Sequence, residues 1–353
     1  MRQFSLVENR VNLVLKDNVL AVLSDAELST VSGAIYHGGF RRTRAIINIE
    51  VPETYGDRKL HEDPIAFVMA SAKKLELTSD FVGMVTAAKI KNFSLVKKNH
   101  GELAVSVVAT AGCSHAESAG EEIAVEEIAG TINVIVVVDG DPTESCLVAA
   151  LATAVEAKAA AMRELDIRSR YTGDAATGTI TDSVVVAATN RGAKIVLGGP
   201  ASELGQLVGH CVRRAVKEAI TNQGECLPRR SVSDRLREMH LPVEKLASEL
   251  CKVESLGFDE AELKLRLTAI LKDPLAASVV MAAVKLDEDV AKGLVAPELA
   301  ETDVLAKRFG SLLTSKPAKK SELESVNLPL FLREVLVALL KTAVSGKKTE
   351  SLK

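Results

Sequence analysis

The sequence predicts an α+β fold, a mixed or antiparallel sheet covered by helices, followed by a separate all-helical domain. Three observations carry this. Runs rich in Val and Ile crowd the first half at hairpin spacing; helices are signalled at about residues 63, 143 and 202; and from Pro228 onward β-branched runs give way to leucines at helical spacing. At 353 residues the chain is long enough for two domains. The boundaries expected are 1–227 for the α+β domain, 228–345 for the helical one and 346–353 for a disordered tail.

The first strands are "VNLVLKDNVLAVLS", two β-rich runs turning at Lys16-Asp17-Asn18, and "RTRAIINIEV". A helix follows in "DPIAFVMASAKKL", with Asp63 as N-cap and Pro64 at its first position. Three further strand candidates come next, "FVGMVTAAKI", "NFSLVKK" and "ELAVSVVATAG", the last two joined by a polar turn around Asn99-His100-Gly101. "GTINVIVVVDG" is apolar almost throughout, broken only by Asn133, and suits a central strand buried on both faces.

The next helix is expected to start with Asp141 as N-cap, Pro142 as first residue and Glu144 completing a capping box, and to run through "TESCLVAALATAVEAKAAAMREL". It is apolar or small all round, as in a helix buried on both sides, so Glu156 and Lys158 stand out; Lys158 falls inside the leucine stripe. "SVVVAATN" and "AKIVLGG" are spaced as a hairpin around Asn190-Arg191-Gly192, and Ser202 caps a helix running to about Asn222. Leu246, Leu250 and Val253, then Leu263, Leu267 and Ile270, then Leu332, Leu336 and Leu339 mark helices of the second domain. Layers of helix, sheet, sheet and helix are one way to bury these elements.

Composition narrows the function classes. A hydrophobic content of 47% with 26% charge is that of a globular protein, and no apolar run reaches the roughly 20 residues of a membrane span. Glu8, Arg10 and Lys16 interrupt what a secretory signal would keep apolar, so the cytoplasm is the expected location. Net charge of −3, no Trp and few aromatics give no nucleic-acid footprint. Five cysteines without a CxxC pair signal neither a disulfide framework nor a thiolate zinc site. No HxxxH, GxSxG, Walker A or GxGxxG occurs.

What remains is "YTGDAATGTITDS", from Tyr171 to Ser183, dense in hydroxyls, carboxylates and glycines. Entering a strand, it would project Thr177, Thr179 and Thr181 from one side and Asp182 from the other, while Gly173 and Gly178 allow close approach. A buried central strand, a polar helix position and this loop would converge there.

The segments "GTINVIVVVD", "EAKAAAMRELDIRSRYTGDAATGTITDSVVVAA" and "GGPASELGQLVGHCVRRAVKEA" resemble the adenosylcobinamide amidohydrolases, over roughly Gly33 to Asn222 and not over the helical domain. The resemblance implies hydrolysis of the amide joining the aminopropanol arm to the corrin ring, giving adenosylcobyric acid in corrinoid salvage or cobamide remodelling. It places Asn133, Glu156, Lys158, Thr177, Gly178, Thr179, Thr181, Asp182 and Glu203 in the shared pattern. Two positions depart from it: Ile180 replaces a usual glycine in "TGTxTD", and His115 a usual asparagine in "AGxSxA".

Amide hydrolysis needs a nucleophile, oxyanion donors and an acid for the departing amine. The catalytic set expected is Thr177, Thr179 or Thr181 to attack or orient water, and Asp182 or Glu156 to handle the proton. Asn133, Lys158, Tyr171, Gly178, Ser114 and Glu203 are expected to bind substrate. No protein cofactor or metal ligand is expected, because cobalt arrives with the corrinoid and the DxHxxG signature of histidine-on cobalt ligation is absent. A homo-oligomer is compatible with the sequence. The competing reading is a protein that binds a corrinoid or nucleoside without turnover.

Overall fold

The computed structural model describes residues 2–52, 63–77, 80–122, 130–224, 229–295 and 323–350, with side chains as far as residue 342. Two compact units divide at Arg229/Arg230. Cys226 and Pro228 lie outside the described residues.

The first unit opens with strands β1 (Arg2–Val7), β2 (Val11–Lys16), β3 (Val19–Ser32) and β4 (Gly39–Glu50), helix α1 (Pro64–Lys73), then β5 (Val82–Thr86), β6 (Ser94–His100), β7 (Leu103–Ala111) and β8 (Ala116–Glu117). It continues with β9 (Ile132–Asp139), β10 (Asp141–Pro142), α2 (Glu144–Glu164), β11 (Gly178–Thr179), β12 (Ser183–Ala188), β13 (Lys194–Ile195) and α3 (Glu203–Gln223). Among the described residues nine strands join one mixed sheet in the order β1-β2-β3-β12-β9-β7-β6, with β4 and then β5 on the other edge of β3. Pairing is parallel between β9 and β12 and between β4 and β5, and antiparallel elsewhere in this sheet.

β3 holds the two halves together. Its first part pairs with β2 and its last part with β12, and a break in register between Leu23 and Leu28 lets it bend between them. Alternation then sorts the side chains into layers. Val134, Val136 and Val138 of β9 pack with Ala150, Ala154, Val208 and Val212 of α2 and α3. Ile135 and Val137, on its other face, meet Leu20, Val22, Ile46 and Met84 from the second half-sheet. Ile47 and Ile49 look outward from that half-sheet onto Phe67 and Val68 of α1. The α+β expectation therefore holds, in four layers with the sheet folded over on itself.

Several local expectations change. Thr143, not Asp141, caps α2 by accepting from the Cys146 N–H at 3.2 Å, while Asp141 is engaged by Lys194 at 2.9 Å. Asp141–Pro142 instead pair in parallel with Lys194–Ile195, and no β12–β13 hairpin forms, because β12 already has β9 and β3 on its two edges. Nor is α2 buried on both sides. One stripe, including Leu147, Ala154, Lys158 and Met162, is buried, whereas Val148, Val155 and Glu156 are exposed. The helix is long and apolar enough to cross a membrane, but here its stripe is core.

The second unit contains α4 (Val232–Glu238), α5 (Val243–Leu250), α6 (Glu260–Lys272), α7 (Pro274–Ala291) and α8 (Leu330–Glu350). Leu246, Leu250, Leu263, Leu267, Leu332 and Leu336 fill its core. Asp287 of α7 accepts the Phe331 and Leu332 N–H groups at 2.8 and 2.9 Å and so ties down the start of α8. Residues 346–350, expected as tail, continue α8, and 351–353 lie outside the described residues.

Candidate active site

The site is built on the parallel unit β9–α2–β12. A crossover helix returns the chain to the starting end of the first strand, and at 1.5 Å per residue the fourteen steps from Glu144 to Lys158 cover roughly 21 Å of that return. Lys158 thus arrives, 7% exposed, above the beginnings of β9 and β12. The residues preceding β12 do not continue the strand. Only Gly178 and Thr179 are extended, as β11, and Ile180 and Thr181 form a turn that brings Asp182 back over them.

Asp182 is the centre of the cluster. Its Oδ2 pairs with Lys158 Nζ and accepts the Thr179 N–H at 3.1 Å. Its Oδ1 accepts the Ile132 N–H at 2.8 Å and the Thr179 hydroxyl. Gly178 makes this possible: a Cβ there would stand 2.6 Å from both Asp182 Oδ2 and Lys158 Nζ. Thr177, Ile180, Thr181 and Asp182 are only partly covered, so the cluster reaches solvent.

The three threonines do not line one edge, contrary to the alternation expected of an extended strand. The Thr177 hydroxyl accepts the Ala119 N–H at 2.9 Å, the Thr181 hydroxyl lies 2.7 Å from that of Thr131, and the Thr179 hydroxyl alone donates to a carboxylate. The turn at 180–181 interrupts the period of two.

Two loops wall the cluster. The segment after β7 pairs with the one before β12 through β8 and β11, with Gly178 opposite Glu117 and Thr179 opposite Ala116. Glu121 clasps them, accepting from the Ser118 N–H at 3.1 Å, the Ser169 hydroxyl at 2.7 Å and the Thr172 hydroxyl. Burial alone would raise the Glu121 carboxyl, but those hydrogen bonds prevail and hold it below the usual range. Glu117 behaves oppositely. Burial pushes its carboxyl up, and the Asp182 and Glu121 charges push it further against the pull of Lys158. Nothing in composition or spacing singles out Glu117; its place one residue past the "AGxSxA" segment was the available signal.

Other expected site residues lie elsewhere or are otherwise engaged. Glu156 is exposed on the face of α2 away from its buried stripe. Glu203, first residue of α3, contacts His100 at 2.8 Å, at the β6–β7 turn and so at the opposite end of the sheet from Asp182. Asn133 points between the half-sheets, donating to Asn48 and to the Val85 carbonyl at 2.8 and 2.9 Å and accepting the Ser183 N–H at 3.1 Å. Its amide is committed to packing the layers. Tyr171 is held through its N–H by Ser169 Oγ at 3.1 Å.

Ser114 is exposed beside His115, but His115 Nε2 contacts the Arg170 guanidinium at 2.6 Å. A guanidinium only donates, so Nε2 is the unprotonated nitrogen, and the proton on Nδ1 faces Ser114 Oγ at 3.4 Å. His115 is turned the wrong way to take the Ser114 proton. Among the described residues no group of three or more His, Cys, Asp or Glu side chains could hold a metal ion.

A buried ammonium, a carboxylate fixed by four donors and a hydroxyl hydrogen-bonded to that carboxylate form equipment suited to a hydrolase, and a hydrolase is what the chain is. Residues 5–228 match the model of the adenosylcobinamide amidohydrolase family, CbiZ, and the chain belongs to that family. An adenosylcobinamide amidohydrolase of Methanosarcina mazei is 28% identical over 220 residues, 60% of this chain and 98% of its own length. An uncharacterized protein of Methanocaldococcus jannaschii is 27% identical over 209 residues, 52% of this chain and 80% of its own. Among solved structures, a Burkholderia sp. beta-aminopeptidase aligns with 61% of this chain and 78% of its own at 12% identity and a TM-score of 0.32. The family match stops ahead of the helical unit.

Proposed function

We propose that the first unit cleaves the amide between the aminopropanol arm and the corrin ring of adenosylcobinamide, releasing adenosylcobyric acid for corrinoid salvage. The observation that carries this reading is the chain Thr179–Asp182–Lys158, seated on Gly178 within the family-matched region. Thr179 is the nucleophile, since of the three threonines its hydroxyl alone donates to a carboxylate. Asp182 positions that hydroxyl; with four donors on its two oxygens it is an organiser rather than the base. Lys158 holds Asp182 and places a positive charge where the carbonyl oxygen gains negative charge. Cobalt enters with the corrinoid, and no resident cofactor is invoked.

Incubation of the full chain with adenosylcobinamide, followed by mass analysis of the corrinoid, tests the reading. Loss of the aminopropanol arm is expected in the native protein and in Thr179→Ser, and not in Thr179→Val. Tight corrinoid binding without product overturns hydrolysis in favour of a carrier.

A further inference from the structure

Glu117 senses the charges of two other carboxylates, Asp182 and Glu121, as well as that of Lys158, and the oxygens of the three carboxylates are not equally occupied. Asp182 accepts four hydrogen bonds and Glu121 three. No hydrogen bond or ion pair engages the side chain of Glu117 among the described residues, although the residue is partly buried in the wall of the cluster.

Its direction follows from the ladder. Glu117 is paired directly with Gly178, and residues directly opposite in an antiparallel pair project to the same face, with Cβ positions about 5 Å apart. The Cβ direction of Gly178 points at Asp182 Oδ2 and Lys158 Nζ, so Glu117 is aimed to the side where the ion pair lies. The ion pair occupies the space that a side chain at 178 would take, so it lies on the face to which Glu117 projects.

Resting on the amidase reading above, we propose that Glu117 is the proton carrier of the site. As the Thr179 oxygen bonds to the amide carbonyl carbon, its proton leaves along the hydrogen bond to Asp182 Oδ1 and is passed on to the neighbouring Glu117 carboxylate, which keeps it; as the C–N bond breaks, the same proton goes to the amine nitrogen. Water then attacks the resulting ester, gives a proton to Glu117, and that proton returns to the Thr179 oxygen as the C–O bond to the enzyme breaks. The balance needs only water and the substrate amide. The groups whose charge Glu117 senses are Asp182, Glu121 and Lys158, and the elevation of its carboxyl by burial suits a group that must hold a proton between two steps.

The test uses the full chain and adenosylcobinamide. Glu117→Gln should lower kcat by about 10²- to 10⁴-fold with KM within about twofold, as loss of a general acid–base group does. The native kcat/KM should fall as pH drops through a value above the ordinary glutamate range, and that acid limb should vanish in the variant. Glu117→Asp should restore part of kcat, and corrinoid binding by both variants, followed by absorbance, reports folded protein. If Glu117→Gln keeps native kcat and the same acid limb while the native chain turns over, Glu117 is not the carrier and the amidase reading stands. A native chain that releases no amine overturns both.

Discussion

Lys158 on α2 and Asp182 ahead of β12 form an ion pair whose side chains are only 8% and 11% exposed, in the space a side chain at Gly178 would occupy. Sequence separation of 24 residues is closed here by the helix crossover and the turn at 180–181.

Gly178→Ala tests that space. The colliding atoms are the ends of two side chains, so the fold should accommodate the methyl group by moving them rather than by backbone shift. Thermal unfolding should change little, while turnover should fall by about 10²-fold, the order expected when reacting groups are displaced by an ångström. Native turnover would show that the pair can sit elsewhere.

Lys158→Met removes one partner of a nearly buried pair and leaves the Asp182 charge enclosed. Such half-removals cost about 3–5 kcal/mol. The expected outcome is a matching loss in urea unfolding at neutral pH, together with loss of turnover. Replacing both residues, in Lys158→Met/Asp182→Leu, should recover part of the stability and none of the activity.

Between the half-sheets the expectation is stability without chemistry. Asn133→Ala deletes hydrogen bonds to Asn48, Val85 and Ser183 and should cost roughly 2–4 kcal/mol, at about 1 kcal/mol per bond plus the stranded partners. The Ser183 hydroxyl, buried beside it, has no partner among the described residues. Ser183→Ala should therefore be neutral or stabilising by up to about 1 kcal/mol. Denaturant midpoints check both, falling for Asn133→Ala and staying level or rising for Ser183→Ala.

Glu156→Gln and Glu203→Ala should each leave kcat within about twofold, because exposed substitutions away from special features are close to neutral. The first lies on the open face of α2 and the second beside His100. Steady-state kinetics on adenosylcobinamide would expose a role for either.

Two neighbouring carboxyls should give opposite pH signatures. Glu121 is held below its ordinary range when folded, so its stabilising contribution is present above that range and lost as pH falls through the lowered value. Glu121→Gln should therefore be destabilised at pH 7 and less so in acid. Glu117 is raised when folded, so the native state binds the extra proton and stability declines as pH rises through that window. Glu117→Gln should gain stability at pH 8. Thermal scans from pH 4 to 8 separate the two.

Much of the fold follows from local pattern. The β2–β3 hairpin, the capped start of α1 at Asp63, the doubly buried β9 and the cap of α3 at Ser202 are each signalled by residues within a few positions of one another. The α2 cap falls on Thr143 and not on Asp141, two oxygen-bearing residues that stand close together, because Asp141 is taken up by Lys194 and by the pairing of its strand with Lys194–Ile195. Similarly, "SVVVAATN" and "AKIVLGG" have hairpin spacing, yet a strand with neighbours on both edges has no edge left for a third.

For the site, local pattern already marks the stretch that carries the polar groups, places Lys158 in an apolar helical stripe, and groups Gly178 and Asp182 with Thr179. How these groups are used depends on contacts between elements. The turn at Ile180–Thr181 sends three threonines to three different partners, packing between half-sheets claims Asn133, and the solvent-facing side of α2 removes Glu156. Glu117 enters only through its pairing with Gly178. Periodicity reports which face a side chain takes within one element; which charges meet across elements depends on crossover, turn and register, and those are properties of the assembled chain.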